Sequence, residues 1–159
     1  MLSLEESLKI LKETSALIEG HFILTSGLHS PKYVQCAQLM SKPSKANEIC
    51  VSLAEKVNND LPEFNLILSP AMGGVIIGYE IGKLLNKETI FSERVHGKFE
   101  LRRDFKITKK SKVLIVEDVI TTGKSSLECS KLVTSNNGSI IGYACIIDRS
   151  NGKLSLIHI

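Results

Sequence analysis

The residues with the clearest chemical use lie between Val113 and Ser125, where an apolar run is followed by acids and hydroxyls. Glu117 and Asp118 are adjacent carboxylates, which can accept hydrogen bonds from vicinal hydroxyls or hold a divalent cation through water. The Thr-Thr-Gly-Lys-Ser turn at 121–125 opens a predicted helix, and its backbone amides and hydroxyls suit a phosphate. Together these features predict a site for a phosphorylated sugar.

The Gly-Lys-Ser sequence at 123–125 does not make this segment a nucleotide-binding P-loop. That pattern, G-x-x-x-x-G-K-[ST], needs Gly at position 118, where this chain has Asp118. A purely structural interpretation also stays open: the segment is an ordinary buried strand with a solvated acidic end.

Three other segments carry groups that could act on a phosphorylated substrate. The loop Ser-Pro-Ala-Met-Gly-Gly at 69–74 is small enough for close approach of backbone to ligand. The charged segment 93–104 has Gly97 near its centre and is either a solvated hairpin or a mobile flap that closes over a pyrophosphate. Arg149 follows a predicted strand, where its guanidinium could pair with a ligand carboxylate or form only a surface ion pair.

The elements that must position these groups follow from hydrophobic periodicity. Residues 113–116 are four branched apolar residues in a row, which is typical of a strand buried on both faces of a parallel sheet. Further strands are predicted at 66–68, 88–92, 140–147 and 154–159, with a strand, turn and strand between 20 and 36. Helices are predicted at 3–19, 43–59, 74–86 and from about 125 to the stop at 136–138.

The bulk properties indicate one globular domain over residues 1–159. The chain is 43% apolar and 23% charged, its net charge of +3 is too slight to indicate a nucleic-acid partner, and it has no run of 18 apolar residues that would predict a membrane span. The N-terminus has neither the basic region nor the apolar core of a signal peptide. The four cysteines are scattered without metal-site spacing, so we expect reduced thiols in a cytoplasmic protein.

The order of apolar strand, two acids, apolar pair and Thr/Gly/Ser loop at 113–125 resembles the 5-phosphoribosyl-1-diphosphate (PRPP) motif of type I phosphoribosyltransferases. The pattern G-x-F-x-L-x-S-G-x-x-S-P-x-Y, which starts at Gly20, resembles the hood of orotate phosphoribosyltransferases. The loop at 69–74 and the Asp148-Arg149 pair match that family's pyrophosphate loop and terminal Asp-Arg. The resemblance implies an α/β fold with a central, mostly parallel sheet flanked by helices, a hood mainly at 20–40 and a protruding β flap at about 93–108.

The resemblance also implies a reaction, in which 5-phosphoribosyl passes from PRPP to orotate in UMP biosynthesis, giving orotidine 5-phosphate and diphosphate. The residues implied to bind PRPP are Glu117, Asp118, Val119, Ile120, Thr121, Thr122, Gly123, Lys124, Ser125, Ala71, Met72 and Gly73. Those implied to bind orotate are Thr121, Arg149, Thr25 and Tyr33. Thr25 and Met72 stand where many members of the family have Lys.

In the same family the flap acts across a subunit interface. The resemblance therefore implies a homodimer with shared active sites, in which Arg94, His96 and Lys98 act catalytically on the partner's substrate. It implies Mg²⁺ as the cofactor, bound mainly through the PRPP diphosphate and water, with Asp118 as a protein carboxylate that could join it. Two other functions remain open: a type I enzyme for a purine base, and a non-catalytic regulator that binds nucleic acid.

Overall fold

The computed structural model describes residues 1–23, 27, 29–150 and 157–158 of the chain. The strands are β1 (Leu17–Ile23), β2 (His29–Val34), β3 (Leu66–Pro70), β4 (Glu88–Val95), β5 (Lys98–Leu101), β6 (Lys112–Ile120), β7 (Ser139–Asp148) and β8 (Ile157–His158). The helices are α1 (Leu4–Glu13), α2 (Cys36–Met40), α3 (Pro43–Asp60), α4 (Gly73–Leu85) and α5 (Lys124–Ser135).

The central sheet has the described strands in the order β5-β4-β3-β6-β7-β8, and every neighbouring pair is parallel except β4 and β5. Strands β3 and β6 are adjacent, but the chain leaves β3 through α4 toward one edge and β6 through α5 toward the other. Ligands of open α/β sheets bind at such a point, outside the carboxyl ends of the strands. The predicted α/β fold with a mostly parallel sheet is confirmed.

The sheet is buried on both faces, as the apolar run at 113–116 predicts. Alternate side chains of β6 point to opposite faces. Leu114 and Val116 pack in a core with residues of α3 and α4, whereas Val113 and Ile115 pack in a second core with residues of α5. Helices α4 and α5 therefore cover opposite faces, and each brings its N-terminus to the end of a central strand.

The predicted helix over 3–19 is wrong at its C-terminal end. The Ser3–Glu6 capping box is present, but α1 ends at Glu13, and the Thr14 hydroxyl donates to the Ile10 carbonyl at 2.8 Å. Ser15 then takes a left-handed conformation, with φ of 59°, which stops the helix. Ile18, which fits the helical period, pairs instead with Tyr33 in the antiparallel hairpin of β1 and β2. Tertiary pairing has overridden the local periodicity.

The two strands β1 and β2 agree with the two strands predicted for the hood, whereas residues 24–26 and 28 of the predicted turn lie outside the described part. The short helix α2 that follows was not predicted. With five residues, α2 is too short to show a helical period, although it buries Cys36, Leu39 and Met40. The other helices begin and end within about two residues of their predicted limits. Of the predicted last strand, only residues 157–158 lie in the described part, where they form β8. Within the described residues, no helix is long and apolar enough to cross a membrane.

Candidate active site

The two acids lie inside strand β6 rather than after it. The predicted strand ended at Val116, but β6 continues to Ile120, which pairs with Asp148 of β7. Because successive side chains of a strand alternate, Glu117 points toward α5 and Asp118 toward α4. The carboxylates therefore approach the carboxyl edge of the sheet from its two faces.

Asp118 contacts the loop that follows β3. Its Oδ1 accepts a hydrogen bond from the Val119 amide at 2.9 Å, and a Cβ placed on Gly73 would lie 2.7 Å from its Oδ2. Burial raises the pKa of the Asp118 carboxyl above its ordinary value, and the bond from the Val119 amide opposes that rise. The loop that resembles a pyrophosphate loop and the acid that resembles a ribose ligand are thus in direct contact.

This contact makes Gly73 a sensitive position, and we expect Gly73→Ala to lower kcat/KM for PRPP by at least about tenfold. The new methyl group needs the space of the Asp118 carboxylate, and small displacements of a positioned group cost large factors in rate. The fold should survive, since Gly73 is the first residue of α4 and Ala favours helices. Steady-state kinetics with a thermal melt tests this expectation; unchanged kinetics in a folded variant would contradict it.

Glu117 is buried, with 9% of its surface exposed, and is bonded to the start of α5. The Ser126 hydroxyl donates to its Oε2, and the Ser125 side chain makes a further hydrogen bond. Burial raises the pKa of the Glu117 carboxyl, the Ser126 bond opposes this, and the nearby charge of Asp118 raises it further. Ser126 and its bond were missed by sequence reasoning, because the residue follows the recognisable motif.

The turn at 121–125 has the geometry of an anion site. Gly123 is the N-cap of α5 with φ of 73°, a left-handed conformation that favours glycine. No described side chain caps this helix, so its first amides lack intrahelical acceptors and stay available. Thr121, Thr122 and Lys124 are exposed, and the Lys124 amide makes only a long 3.4 Å bond to the Thr122 hydroxyl. These donors can bind a phosphate.

Arg149 lies beside that turn. Its amide donates to the Ile120 carbonyl at 2.8 Å, which ties the end of β7 to the first residue before the turn. The residue is half-buried, and none of the salt bridges of the described residues involves its guanidinium. An arginine held in this way can pair with a ligand carboxylate.

The hood contributes fewer described contacts. Tyr33 is exposed on β2, with its ring centroid 5.6 Å from that of Phe22 on β1. Thr25, the other predicted orotate ligand of the hood, lies outside the described residues. In the loop after β3, the Ala71 amide donates to the Ser92 carbonyl at 2.8 Å and the Ala71–Met72 peptide is cis. Met72 is 83% exposed at the mouth of the site.

The segment predicted as a flap forms the antiparallel hairpin of β4 and β5, with His96 and Gly97 at its turn. Near its turn the hairpin is held to the same chain by Arg94, whose guanidinium donates to Glu128 of α5 at 2.7 Å and lies 4.1 Å from the Phe99 ring centroid. His96 and Lys98 are exposed. The structure therefore joins Arg94 to α5, and it leaves His96 and Lys98 available for a ligand.

The sheet, the loop after β3 and the turn after β6 together define a phosphoribosyltransferase. A family model described as "Phosphoribosyl transferase domain" matches residues 44–157. The chain is 46% identical over 146 residues to an orotate phosphoribosyltransferase from Carboxydothermus hydrogenoformans, covering 92% of this chain and 76% of the relative. The chain thus belongs to the orotate phosphoribosyltransferase family.

Solved structures agree with this assignment. The orotate phosphoribosyltransferase of Aeropyrum pernix superposes with a TM-score of 0.77 at 25% identity, covering 89% of this chain and 81% of that one. An adenine phosphoribosyltransferase from Thermoanaerobacter pseudethanolicus gives a TM-score of 0.73 at 16% identity, covering 96% and 98%. The second similarity extends to the fold alone.

Proposed function

We propose that the protein transfers 5-phosphoribosyl from PRPP to the ring nitrogen of orotate, giving orotidine 5-phosphate and diphosphate in UMP biosynthesis. The observation that carries the proposal is the meeting of three features at one sheet edge: the acids of β6, the amides of the turn at 121–125, and Arg149 bonded to Ile120. Family membership supports the same activity.

The first group of residues holds the ribose 5-phosphate. Glu117 and Asp118 accept hydrogen bonds from the two ribose hydroxyls, and these bonds are strongest when both carboxylates are ionised. The amides and hydroxyls of residues 121–125 bind the 5-phosphate. Because C1 of the ribose loses diphosphate, the transition state has oxocarbenium character, and the residues act mainly by holding the sugar and stabilising charge.

Orotate is bound by the end of β7 and by the hood. The Arg149 guanidinium pairs with the orotate carboxylate, Thr121 lies beside it at the start of the turn, and Tyr33 and Thr25 contribute from the hood. A purine has no carboxylate for Arg149 to pair with, so it would not form the charge-assisted, bidentate pair that orotate can form. The position of Arg149 beside the turn at 121–125 therefore supports orotate over the purine alternative.

The departing diphosphate is bound by the loop at 71–73 and by the flap, where His96 and Lys98 are exposed and can contact it. Mg²⁺, when bound, neutralises the diphosphate charge. Magnesium keeps several waters and binds through one or two carboxylates and substrate phosphates. The residues fit this mode, because Asp118 presents a carboxylate at the site, beside the loop that follows β3.

We also propose a homodimer with shared active sites, in which the flap reaches the partner's substrate. Helix α4 starts at the pyrophosphate loop and exposes Ile76 and Tyr79, with 54% and 62% of their surfaces accessible. With the exposed Met72 just before the helix, they form an apolar surface next to the site, which a second copy could cover. The four buried thiols support a cytoplasmic location.

Shared sites predict complementation between two inactive variants. Mixing Arg149→Ala protein with Lys98→Ala protein should restore activity, since a mixed dimer has one site free of both changes. Random exchange of subunits gives roughly a quarter of the wild-type rate. Activity is measured after mixing and re-equilibration, with each variant alone as control. A mixture no more active than the sum of its parts would show that each chain works alone.

The activity itself is tested by mixing the purified protein with orotate, PRPP and Mg²⁺ and measuring diphosphate. We expect diphosphate and orotidine 5-phosphate to form in equal amounts, and adenine or guanine in place of orotate to give none. Diphosphate formation with a purine but not with orotate would establish the alternative enzyme. Tight binding of DNA or RNA at physiological salt, without turnover of any base, would establish the regulatory function instead.

A further inference from the structure

Ser126 lies behind the ribose site and is only 3% exposed, so it cannot itself reach a substrate. It is the third residue of α5, and its hydroxyl donates to the Glu117 carboxylate. Its carbonyl accepts a bond from the Ser130 hydroxyl at 2.8 Å, and Ser130 is bonded in turn to the Tyr143 hydroxyl of β7 at 2.7 Å. A chain of buried and partly buried hydrogen bonds, which passes through the backbone carbonyl of Ser126, thus connects Glu117 to the next strand.

We infer, on the basis of the proposed function, that Ser126 is a positioning residue for PRPP binding. Its hydroxyl holds the Glu117 carboxylate in the orientation that accepts a hydrogen bond from a ribose hydroxyl. A carboxylate has about four acceptor positions, so the bond from Ser126 leaves room for the sugar. The carboxylate is held from the α5 side by the Ser126 hydroxyl, and the Ser126 carbonyl accepts from Ser130, whose hydroxyl is bonded to Tyr143 of β7.

Ser125 cannot replace Ser126 in this role once the substrate is bound. Both serines are hydrogen-bonded to Glu117. A serine hydroxyl has one proton to donate, and Ser125 belongs to the turn that binds the 5-phosphate. When Ser125 donates to the phosphate, Ser126 is the serine that still donates to Glu117. The bond from Ser126 therefore matters most in the occupied site.

The test compares two ligands on Ser126→Ala by calorimetry: ribose 5-phosphate, which uses the acids and the turn, and inorganic phosphate, which uses the turn alone. We expect affinity for ribose 5-phosphate to fall about tenfold, because a hydrogen bond to a charged group is lost, and affinity for phosphate to stay within about twofold. Ser126→Thr keeps the donor and should bind ribose 5-phosphate within about threefold of wild type. A loss of both affinities together would indicate a distorted turn and overturn the inference.

Two controls separate positioning from packing. Ser7→Ala removes a buried hydroxyl of α1, which donates to the Ser3 carbonyl and does not bond Glu117, and should leave affinity for ribose 5-phosphate within about twofold. In a Glu117→Gln background, Ser126→Ala should lower the affinity for ribose 5-phosphate little further, because the charged carboxylate that Ser126 bonds is already absent. Full additivity of the two changes would contradict a role through Glu117.

The outcomes also separate this inference from the proposed function. Failure of the wild-type protein to bind ribose 5-phosphate would contradict the proposed function itself. A wild-type protein that binds it, with unchanged affinity in Ser126→Ala, would overturn only the role of Ser126.

Discussion

Asp118→Asn is expected to lower kcat/KM for PRPP by at least about 100-fold. The amide keeps the size of the side chain and can still accept the 2.9 Å bond from the Val119 amide, so the local backbone should not change. What is lost is the charge, which strengthens the hydrogen bonds from the ribose and stabilises positive charge at the reacting carbon. Steady-state kinetics with PRPP varied at saturating orotate measures the effect.

The same substitution should leave the protein as stable or more stable at neutral pH. Burial raises the pKa of Asp118, so its ionised form costs folding free energy at pH values above that raised pKa. Without divalent cations, the melting temperature of Asp118→Asn should exceed that of wild type at pH 8, and the difference should shrink as pH falls through the folded-state pKa toward 3.8. A variant that loses activity but gains stability indicates that the acid is kept for function rather than for folding.

Asp60→Asn is a matched control for this experiment. Asp60 is the exposed last residue of α3, and its substitution should change neither the kinetics nor the melting temperature measurably. If Asp118→Asn retained more than about a third of the wild-type kcat/KM, Asp118 would not be a ribose ligand.

Arg149→Ala should raise the orotate KM by at least about tenfold, which corresponds to about 1.4 kcal/mol. The guanidinium and a carboxylate form a charge-assisted, bidentate pair, and nothing else described at the end of β7 replaces it. The KM for PRPP should change little, because the acids and the turn remain. Arg149→Lys should fall between wild type and Arg149→Ala, since an ammonium keeps the charge without the bidentate geometry.

Lys131→Ala, which removes an exposed cation from α5, serves as the control for a general loss of positive charge. It should leave the orotate KM within about twofold. An Arg149→Ala variant with an unchanged orotate KM would remove the main reason to prefer orotate over a purine.

Much of the sheet was predictable from local sequence. The apolar runs at 113–116 and 66–68 are long enough and branched enough to predict buried parallel strands, and the structure buries them fully. Helix α1 shows the limit: Ile18 fits the helical period of the residues before it, but β1 uses it in the hairpin, where it pairs with Tyr33. The strand that pairs with β1 is formed by residues 29–34, which lie outside the local window that suggests a helix.

The site was predictable in its residues but not in its geometry. Because Glu117, Asp118 and the turn are adjacent in the sequence, a common site could be predicted for them. The sequence did not show that the two acids lie on opposite faces of β6. Nor did it show Glu128 bonded to Arg94, because those residues are 34 positions apart and belong to different elements. Spacing identifies groups in one turn or one strand, whereas contacts between elements depend on how the sheet is ordered.

A crystal structure with orotidine 5-phosphate tests the central claim most directly. We expect the phosphate within hydrogen-bond distance of the amides at 121–125, the ribose hydroxyls on Glu117 and Asp118, and the base carboxylate on Arg149. A nucleotide bound with its phosphate elsewhere, or with both acids turned away from the ribose, would contradict the account.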